Sequence, residues 1–440
     1  MKKLTAVFTA AALLLSLCGC SGGEEASSSA QSAESAASQI ISSEISSEQK
    51  TSSAAKTSSR VVSKTESQRP MSKKERLLAG LDEDFYKSAL VNEGNSVRIA
   101  NAMRKAQAGG TVTIAVFGGS ISAGALASSR YSSYGYLVND WWVSNFPDAT
   151  INFINAGIGA TAVEMACYRQ YDDLLSYNPD FVIVDFAVNS WESDPPDGYE
   201  NILRRTLASK NAPGVMCIFF PTTNREQYSK GRITKGSTDA GAQLNAAKKF
   251  NVPAIHYDKA IWEKINLKVI TWPEIAGDYI HPNDSGHFLA ASLITKYLEG
   301  VKSNLSKISK TPPAIPSGNT LYSTARRYTP VNISSTLGDF IAMEGENASD
   351  RGWTCEAGAK QPLKINLPAV KKVRIFYNAS GFEGSVSFSM GGKTITAQGG
   401  GASPTISGTL QFDSAQSGTL TATPNVTSGT FTMYGVFTES

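Results

Sequence analysis

The 440-residue chain contains three histidines, and one of them has a carboxylate at a spacing suited to proton transfer. In Asp278-Tyr279-Ile280-His281-Pro282-Asn283, Pro282 keeps His281 out of the helical region, and Asp278 lies within reach of one ring nitrogen. The other nitrogen is left to take a proton from a hydroxyl. His256 falls in a predicted strand and His287 in the first turn of a predicted helix, where packing explains each more simply. The best-placed hydroxyl is Ser120 in Phe117-Gly118-Gly119-Ser120-Ile121-Ser122, because two glycines after an apolar run allow a tight turn that lifts it out of a sheet. Taken singly, Gly-Gly-Ser equally spells a plain turn, and Asp-x-x-His a loop salt bridge. Asn189 in Val188-Asn189-Ser190-Trp191 has an amide that can donate to a developing oxyanion or can cap a helix. Gly157 in Asn155-Ala156-Gly157-Ile158-Gly159 can turn a backbone N–H toward a ligand or merely make a turn.

The elements that must position these groups alternate along the chain. Short apolar runs bounded by Gly, Pro or Asn predict strands at Val112–Phe117, Ile151–Asn155, Phe181–Ala187, Val215–Phe220 and Ala254–Tyr257. Helical periodicity predicts helices at Val97–Ala108, Tyr134–Asn145, Ala162–Ser176, Tyr199–Ser209, Ala240–Lys249 and Ser285–Leu298. Such alternation implies a parallel sheet covered on both faces, with ligands beyond the carboxyl ends of its strands. Ser120, Gly157 and Asn189 all follow predicted strands.

In their order and shared placement these residues resemble the four blocks of the SGNH hydrolases, or GDSL-type esterases, whose Ser, Gly, Asn and His match Ser120, Gly157, Asn189 and His281. The resemblance covers about Ala100 to Val301, and Asp-x-x-His-Pro is its most specific part. Two blocks depart from the pattern: Gly-Gly-Ser-Ile replaces Gly-Asp-Ser-Leu, and Ala187-Val188-Asn189-Ser190 replaces Gly-x-Asn-Asp. The resemblance implies a flavodoxin-like three-layer α/β/α sandwich with a five-stranded parallel sheet. It also implies that His281, oriented by Asp278, activates Ser120 for attack on an ester carbonyl, with the Ser120 and Gly157 N–H groups and the Asn189 side chain holding the oxyanion. No cofactor or metal is needed for such a reaction, and no Cys or His spacing suited to a metal occurs.

Around this hydrolase domain, placed at 71–305, the composition changes twice. Lys2, Lys3 and the apolar run Leu4 to Leu17 read as a targeting segment at 1–19, too short to span a bilayer alone. Leu17-Cys18-Gly19-Cys20 resembles a bacterial lipobox, which implies cleavage before Cys20 and its diacylation; an ordinary secretory signal ending near Gly19 or Gly22 is the alternative. Residues 20–70, rich in Ser, Ala and Glu, cannot bury enough apolar surface to order themselves and read as a tether. The expected protein is thus exported and held at the cell membrane through Cys20, with its folded domains on the extracellular side. Cys167, Cys217 and Cys355 read as buried small hydrophobes. Prolines mark a linker at 306–328, and 329–440, rich in β-branched residues alternating with Ser, Gly and Thr, reads as a small all-β domain, a β-sandwich.

A formal net charge of +3 from 41 basic and 38 acidic residues, without a basic block, argues against a nucleic-acid partner. Export, a second domain and the aromatics Trp191 and Trp272 beside the site suit an acetylated polysaccharide as substrate. The runs Tyr134-Gly135-Tyr136 and Asn155 to Thr161 look most like family members that deacetylate glycans, so carbohydrate O-acetyl esterase is the first expectation. A lipase or lysophospholipase is the second. A third is a glycan or cell-wall binder with a vestigial hydrolase domain, for which Trp353, Tyr377 and Phe382 could form a sugar platform. Oligomeric state is not legible in the sequence.

Overall fold

The structure is a computed structural model that describes residues 77, 80–189, 197–223, 240–318 and 321–440. The targeting segment, the lipobox at Cys20 and the tether lie outside the described residues, as does Trp191.

The first part of the chain runs α1 (Glu83–Ala89), β1 (Leu90–Asn92), α2 (Val97–Gln107), β2 (Thr111–Gly118), α3 (Ser120–Ala123), α4 (Tyr134–Asn145) and β3 (Thr150–Gly157). It continues through α5 (Val163–Asp173), β4 (Phe181–Asp185), α6 (Gly198–Leu207), β5 (Gly214–Phe219) and α7 (Ala240–Lys249). β6 (Ala254–His256), α8 (Tyr257–Asn266), α9 (Trp272–Ile275) and α10 (Asp284–Ser303) complete it. Five parallel strands lie in the order β3-β2-β4-β5-β6, the doubly wound arrangement expected. The sheet has a sixth strand: β1 pairs antiparallel with β6, Leu90 opposite Ile255. β1 lacked a sequence signal because it is three residues long and carries no apolar run, its Asn92 side chain donating instead to the Val252 carbonyl at 2.6 Å.

The strands are apolar on both faces because both are covered. Along β2, Val112, Ile114 and Val116 enter a core with Ile99 of α2, Trp142 of α4 and Leu289 of α10, whereas Ala115 and Phe117 enter another with Cys167 of α5 and Ile202 of α6. β4 divides likewise, Phe181 and Ile183 to the first and Val182 and Val184 to the second. Helix α5 stops at Asp173, short of the expected Ser176, and the chain turns through a 3₁₀ segment to Asn178 in the left-handed region, φ 49°. Helix α10 starts on an Asn283 cap, whose side chain accepts from the Ser285 and Gly286 N–H groups, and runs to Ser303.

The second part is all-β. It comprises β7 (Arg326–Tyr328), β8 (Ser335–Thr336), β9 (Ile341–Glu344), β10 (Arg351–Glu356), β11 (Leu363–Asn378), β12 (Phe382–Met390), β13 (Lys393–Gln398), β14 (Thr405–Ile406) and β15 (Leu410–Glu439). These nine strands share one hydrogen-bonded network around a single core, since β15 pairs with β12 near Thr421 and with β10 near Phe431, while β11 follows both halves. Thirty residues of straight strand would span roughly 100 Å, so β15 has to bend through the domain. The expected linker ends early: Arg326–Tyr328 already pairs with Val436–Thr438 of β15. Its earlier part is bound to the α/β domain, Arg98 donating to Pro313 O at 3.2 Å and Arg204 to Pro316 O at 3.3 Å. Trp353, Tyr377 and Phe382 sit in the core, each no more than 6% exposed, so they form no sugar platform. Cys167, Cys217 and Cys355 are buried thiols.

Where β4 ends, a polar group intrudes on the first core. Asp185, 1% exposed, accepts from Ser122 Oγ at 3.0 Å, and Ser122 Oγ in turn lies 2.7 Å from Tyr134 OH. Asp185 Oδ1 has no partner among the described residues, and burial pushes the carboxyl up to about 7. The folded protein therefore holds this proton to higher pH than the unfolded chain, so stability attributable to Asp185 is intact below about pH 4 and is lost as pH rises toward 7. Asp185→Asn, which keeps the shape and removes the charge, is expected to melt above the wild type at pH 8 and to match it near pH 4 in paired thermal scans. A difference independent of pH would contradict this assignment.

Candidate active site

At the carboxyl edge of the sheet, β2 ends at Gly118, and Gly119 leads into the single turn of α3, placing Ser120 at the point where strand order reverses between β3 and β4. No side chain fits in this turn. A Cβ on Gly118 would lie 2.2 Å from Ser122 Oγ, and one on Gly119 would lie 2.0 Å from Asn189 Oδ1. Gly119 thus marks where the Asn189 side chain lies across the turn. Asn189 itself is carried by a 3₁₀ turn, Ala187–Asn189, closed by its N–H on Phe186 O at 3.1 Å.

Opposite stands the loop between α9 and α10. His281 Nε2 is 2.8 Å from Ser120 Oγ, and His281 Nδ1 is 2.7 Å from Asp278 Oδ2. The other carboxylate oxygen, Oδ1, accepts from the backbone N–H groups of Ile280 at 2.8 Å and His281 at 2.6 Å. Burial alone would raise the Asp278 pKa, but the hydrogen bonds from the His281 ring and these two amides outweigh it and hold the carboxyl below its ordinary range. Both side chains keep access to solvent, His281 24% and Asp278 30% exposed. The loop is closed by Gly277 N–H on His281 O at 3.1 Å, and Thr222 and Thr223, following β5, donate to Tyr279 O. The rest of the loop expected from Thr222 to Ser237 lies outside the described residues.

Ser120, Asn189, Asp278 and His281 are thus brought together, but Gly157 is arranged differently from its expected role. Its N–H donates to Asn155 Oδ1 at 3.0 Å, and a Cβ on it would lie 2.3 Å from Ala123 N, so it serves as a close-packing point against α3. The residue facing the nucleophile is Gly159, where a Cβ would find Ser120 Cβ at 3.8 Å. The alternating glycines after β3 were visible in the sequence; which of them turned toward Ser120 depended on the backbone path. Trp272 also departs from expectation. It stacks on Trp262, with centroids 5.7 Å apart, and its Nε1 donates to Asp278 O at 2.7 Å, so one of its faces is taken by Trp262 and its indole N–H braces the loop.

The other histidines are occupied elsewhere. His256 Nδ1 accepts from Lys259 N–H at 3.0 Å, capping α8. His287, fully buried, accepts from Tyr134 N–H and faces Ala125 O, and burial pulls it down to about 4, leaving it neutral. Sequence reasoning missed Arg169. Its guanidinium, 0% exposed, donates to Gly118 O and Ala156 O at 2.6 Å each and lies 4.6 Å from the Phe117 ring centroid. The signal was present: Arg169 falls on the α5 face that also carries Ala166 and Asp173, at positions a helix turns toward its sheet.

Residues 116–289 match the family model described as GDSL-like lipase/acylhydrolase. No curated protein matches by sequence. Among solved structures, the chain is similar to a two-domain esterase active on acetylated mannans, with TM-score 0.63 and 24% identity over 81% of this chain and 98% of that one. The same kind of esterase co-crystallized with mannopentaose aligns with TM-score 0.62 and 25% identity, again over 81% of this chain and 98% of the other. The match spans the nucleophile turn, the Asn189 turn and the Asp278/His281 loop, so the α/β domain of this chain carries a match to the GDSL-like lipase/acylhydrolase family model.

Proposed function

We propose that the chain is a serine esterase that removes short acyl groups, acetyl foremost, from polysaccharide through an acyl-enzyme. The observation that carries this reading is the continuous hydrogen-bonded line Asp278–His281–Ser120, with links of 2.7 and 2.8 Å. His281 Nδ1–H donates to Asp278, which leaves Nε2 to take the Ser120 proton as Oγ attacks the ester carbonyl. The imidazolium formed is paired with a carboxylate that stays ionised, and it returns the proton to the departing sugar oxygen. Water then attacks the acyl-enzyme with His281 again as base, releasing the carboxylate product. Charge developing on the carbonyl oxygen is met by the Ser120 N–H, the Asn189 amide and the backbone of the loop at Gly159. Each such donor is worth about 3 kcal/mol of barrier in a site of this kind.

Support for a polysaccharide substrate comes from the similarity to the mannan-active esterase, which extends through both domains, covering 98% of that chain. Purified protein is expected to release acetate from acetylated mannan and to hydrolyse aryl acetate faster than longer aryl esters, with Ser120→Ala losing a factor of about a thousand or more while remaining folded. Rates that rise with chain length would favour a lipase or lysophospholipase instead. Full activity in Ser120→Ala would remove Ser120 as nucleophile.

Gly119→Ala tests the oxyanion arrangement. The added methyl would displace Asn189, and kcat on aryl acetate is expected to fall by about a hundredfold with little change in KM. Unchanged kcat would exclude Asn189 from that role.

We also propose that the chain is exported and anchored by lipid on Cys20, a reading supported by the apolar run and the Cys that ends it. In its native cells, Cys20→Ser is expected to move the protein out of the membrane fraction, and an unmodified Cys20 in mass spectrometry of that fraction would refute the anchor.

A further inference from the structure

The two domains are joined by a buried chain of three charges. Arg169 on α5 bonds the carbonyls of Gly118 and Ala156, the strand ends that lead to Ser120 and to Gly159, and also reaches Thr161 Oγ1 at 3.2 Å. Its nearest carboxylate, Asp173 Oδ2, stands at a longer 3.3 Å. Asp173 is held by the all-β domain: Arg327 Nη1 on β7 lies 2.7 and 2.8 Å from its two oxygens. The Arg327 guanidinium is itself fixed by the carbonyls of Tyr434 at 2.5 Å, Ala348 at 3.0 Å and Arg351 at 3.2 Å. Arg169 and Arg327 are 0% exposed and Asp173 2%, so none of the three can exchange its partners for water.

Competition for Asp173 decides what Arg169 can do. A lone Asp–Arg pair in such a medium closes to a short, bidentate contact, because Coulomb attraction between full charges exceeds that between a charge and a carbonyl dipole. Here Arg327 takes both carboxylate oxygens, and Arg169 keeps its shortest bonds for the two carbonyls. Burial also pulls the Arg169 guanidinium down to about 10, a sign of how dry its surroundings are.

We infer that Arg327 of the all-β domain is a positioning residue for catalysis: by engaging Asp173 it keeps Arg169 on the carbonyls of Gly118 and Ala156 and so fixes the Ser120 turn and the Gly159 loop. The all-β domain is then part of the esterase machinery whether or not it touches a glycan. This inference rests on Ser120 being the nucleophile.

The test uses the full chain with Arg327→Met and Arg327→Lys, assayed on aryl acetate beside the wild type and beside thermal unfolding. Arg327→Met lets Asp173 close on Arg169, and kcat is expected to fall at least about tenfold with KM within about twofold and unfolding still cooperative. Arg327→Lys keeps the charge but cannot bridge Asp173 and the Tyr434 carbonyl at once, so an intermediate loss of about threefold to fivefold in kcat is expected. Wild-type kcat in folded Arg327→Met overturns the proposal. If Arg327→Met does not fold, Arg327→Lys decides alone, and wild-type kcat in that variant overturns it. A loss that follows only the folded fraction, with specific kcat restored after correction, also overturns it. An inactive wild type would overturn both this inference and the esterase reading, whereas an active wild type with unaffected variants overturns this inference alone.

Discussion

The architecture depends on bare backbone at the strand ends, where neighbouring backbone and side chains come too close to admit a Cβ. At the carboxyl ends of β2 and β3 the chain must turn outward, receive α3 and the Asn189 side chain, and still close-pack, so Gly118, Gly119 and Gly157 have no room for a Cβ. A side chain at these positions would have to push aside Ser122, Asn189 or the α3 backbone, the neighbours that hold Ser120 in place, and reaction geometry tolerates such shifts poorly. The sheet beneath supplies the rigidity. Its central strands are apolar on both faces and filled from both sides, so the strand ends lie on a fixed plane.

Much of this was legible without coordinates, for physical reasons that differ by element. The buried parallel strands are legible as uninterrupted apolar runs, and the expected bounds of α4 and α7 coincide with the observed Tyr134–Asn145 and Ala240–Lys249. Asp278 and His281 were legible as a pair because three residues and a proline confine their geometry within one loop. What escaped was set by distant partners. β1 is a strand only because β6 offers it an edge, and β7 only because β15 does. Gly157 and Gly159 carry identical residues, and their different duties arise from Asn155 and Ser120 standing where they do. Trp272 looked like a sugar-facing aromatic, and its indole proved to be bonded to the loop it precedes.

The all-β domain meets the α/β domain mainly along one helix, with further contacts such as Arg351 donating to Tyr177 OH at 2.8 Å and Ile158 packing beside Ala348 and Phe376. Besides Asp173, α5 contributes Asp172 to a bidentate contact with Arg326, Glu164 to Arg374, and Tyr168 to a stack on Phe437 with centroids 5.0 Å apart. These contacts join the face of α5 away from the sheet to β7, β11 and β15, while the opposite face carries Arg169 to the strand ends. One helix therefore has its charged residues committed on both sides, which explains why its sequence reads as weakly amphipathic although few of its residues are exposed.

The Asp278–His281 loop has a consequence for how such a site can be rebuilt. Acid, base, the amides that fix the acid and the Trp272 brace all lie within ten consecutive residues, closed on themselves by the Gly277–His281 and Asn283–Ile275 hydrogen bonds. The proton-handling half of the site is thus compact in sequence, steadied from outside by Thr222, Thr223 and Trp262, and its imidazole reaches the nucleophile by one hydrogen bond across the cleft. A unit of that kind is transplantable: grafted between the ends of a short helix and a longer one in another doubly wound sheet, it would bring its own electrostatics with it and ask of the host a ring to carry Trp272, donors for the Tyr279 carbonyl and a hydroxyl at the right distance.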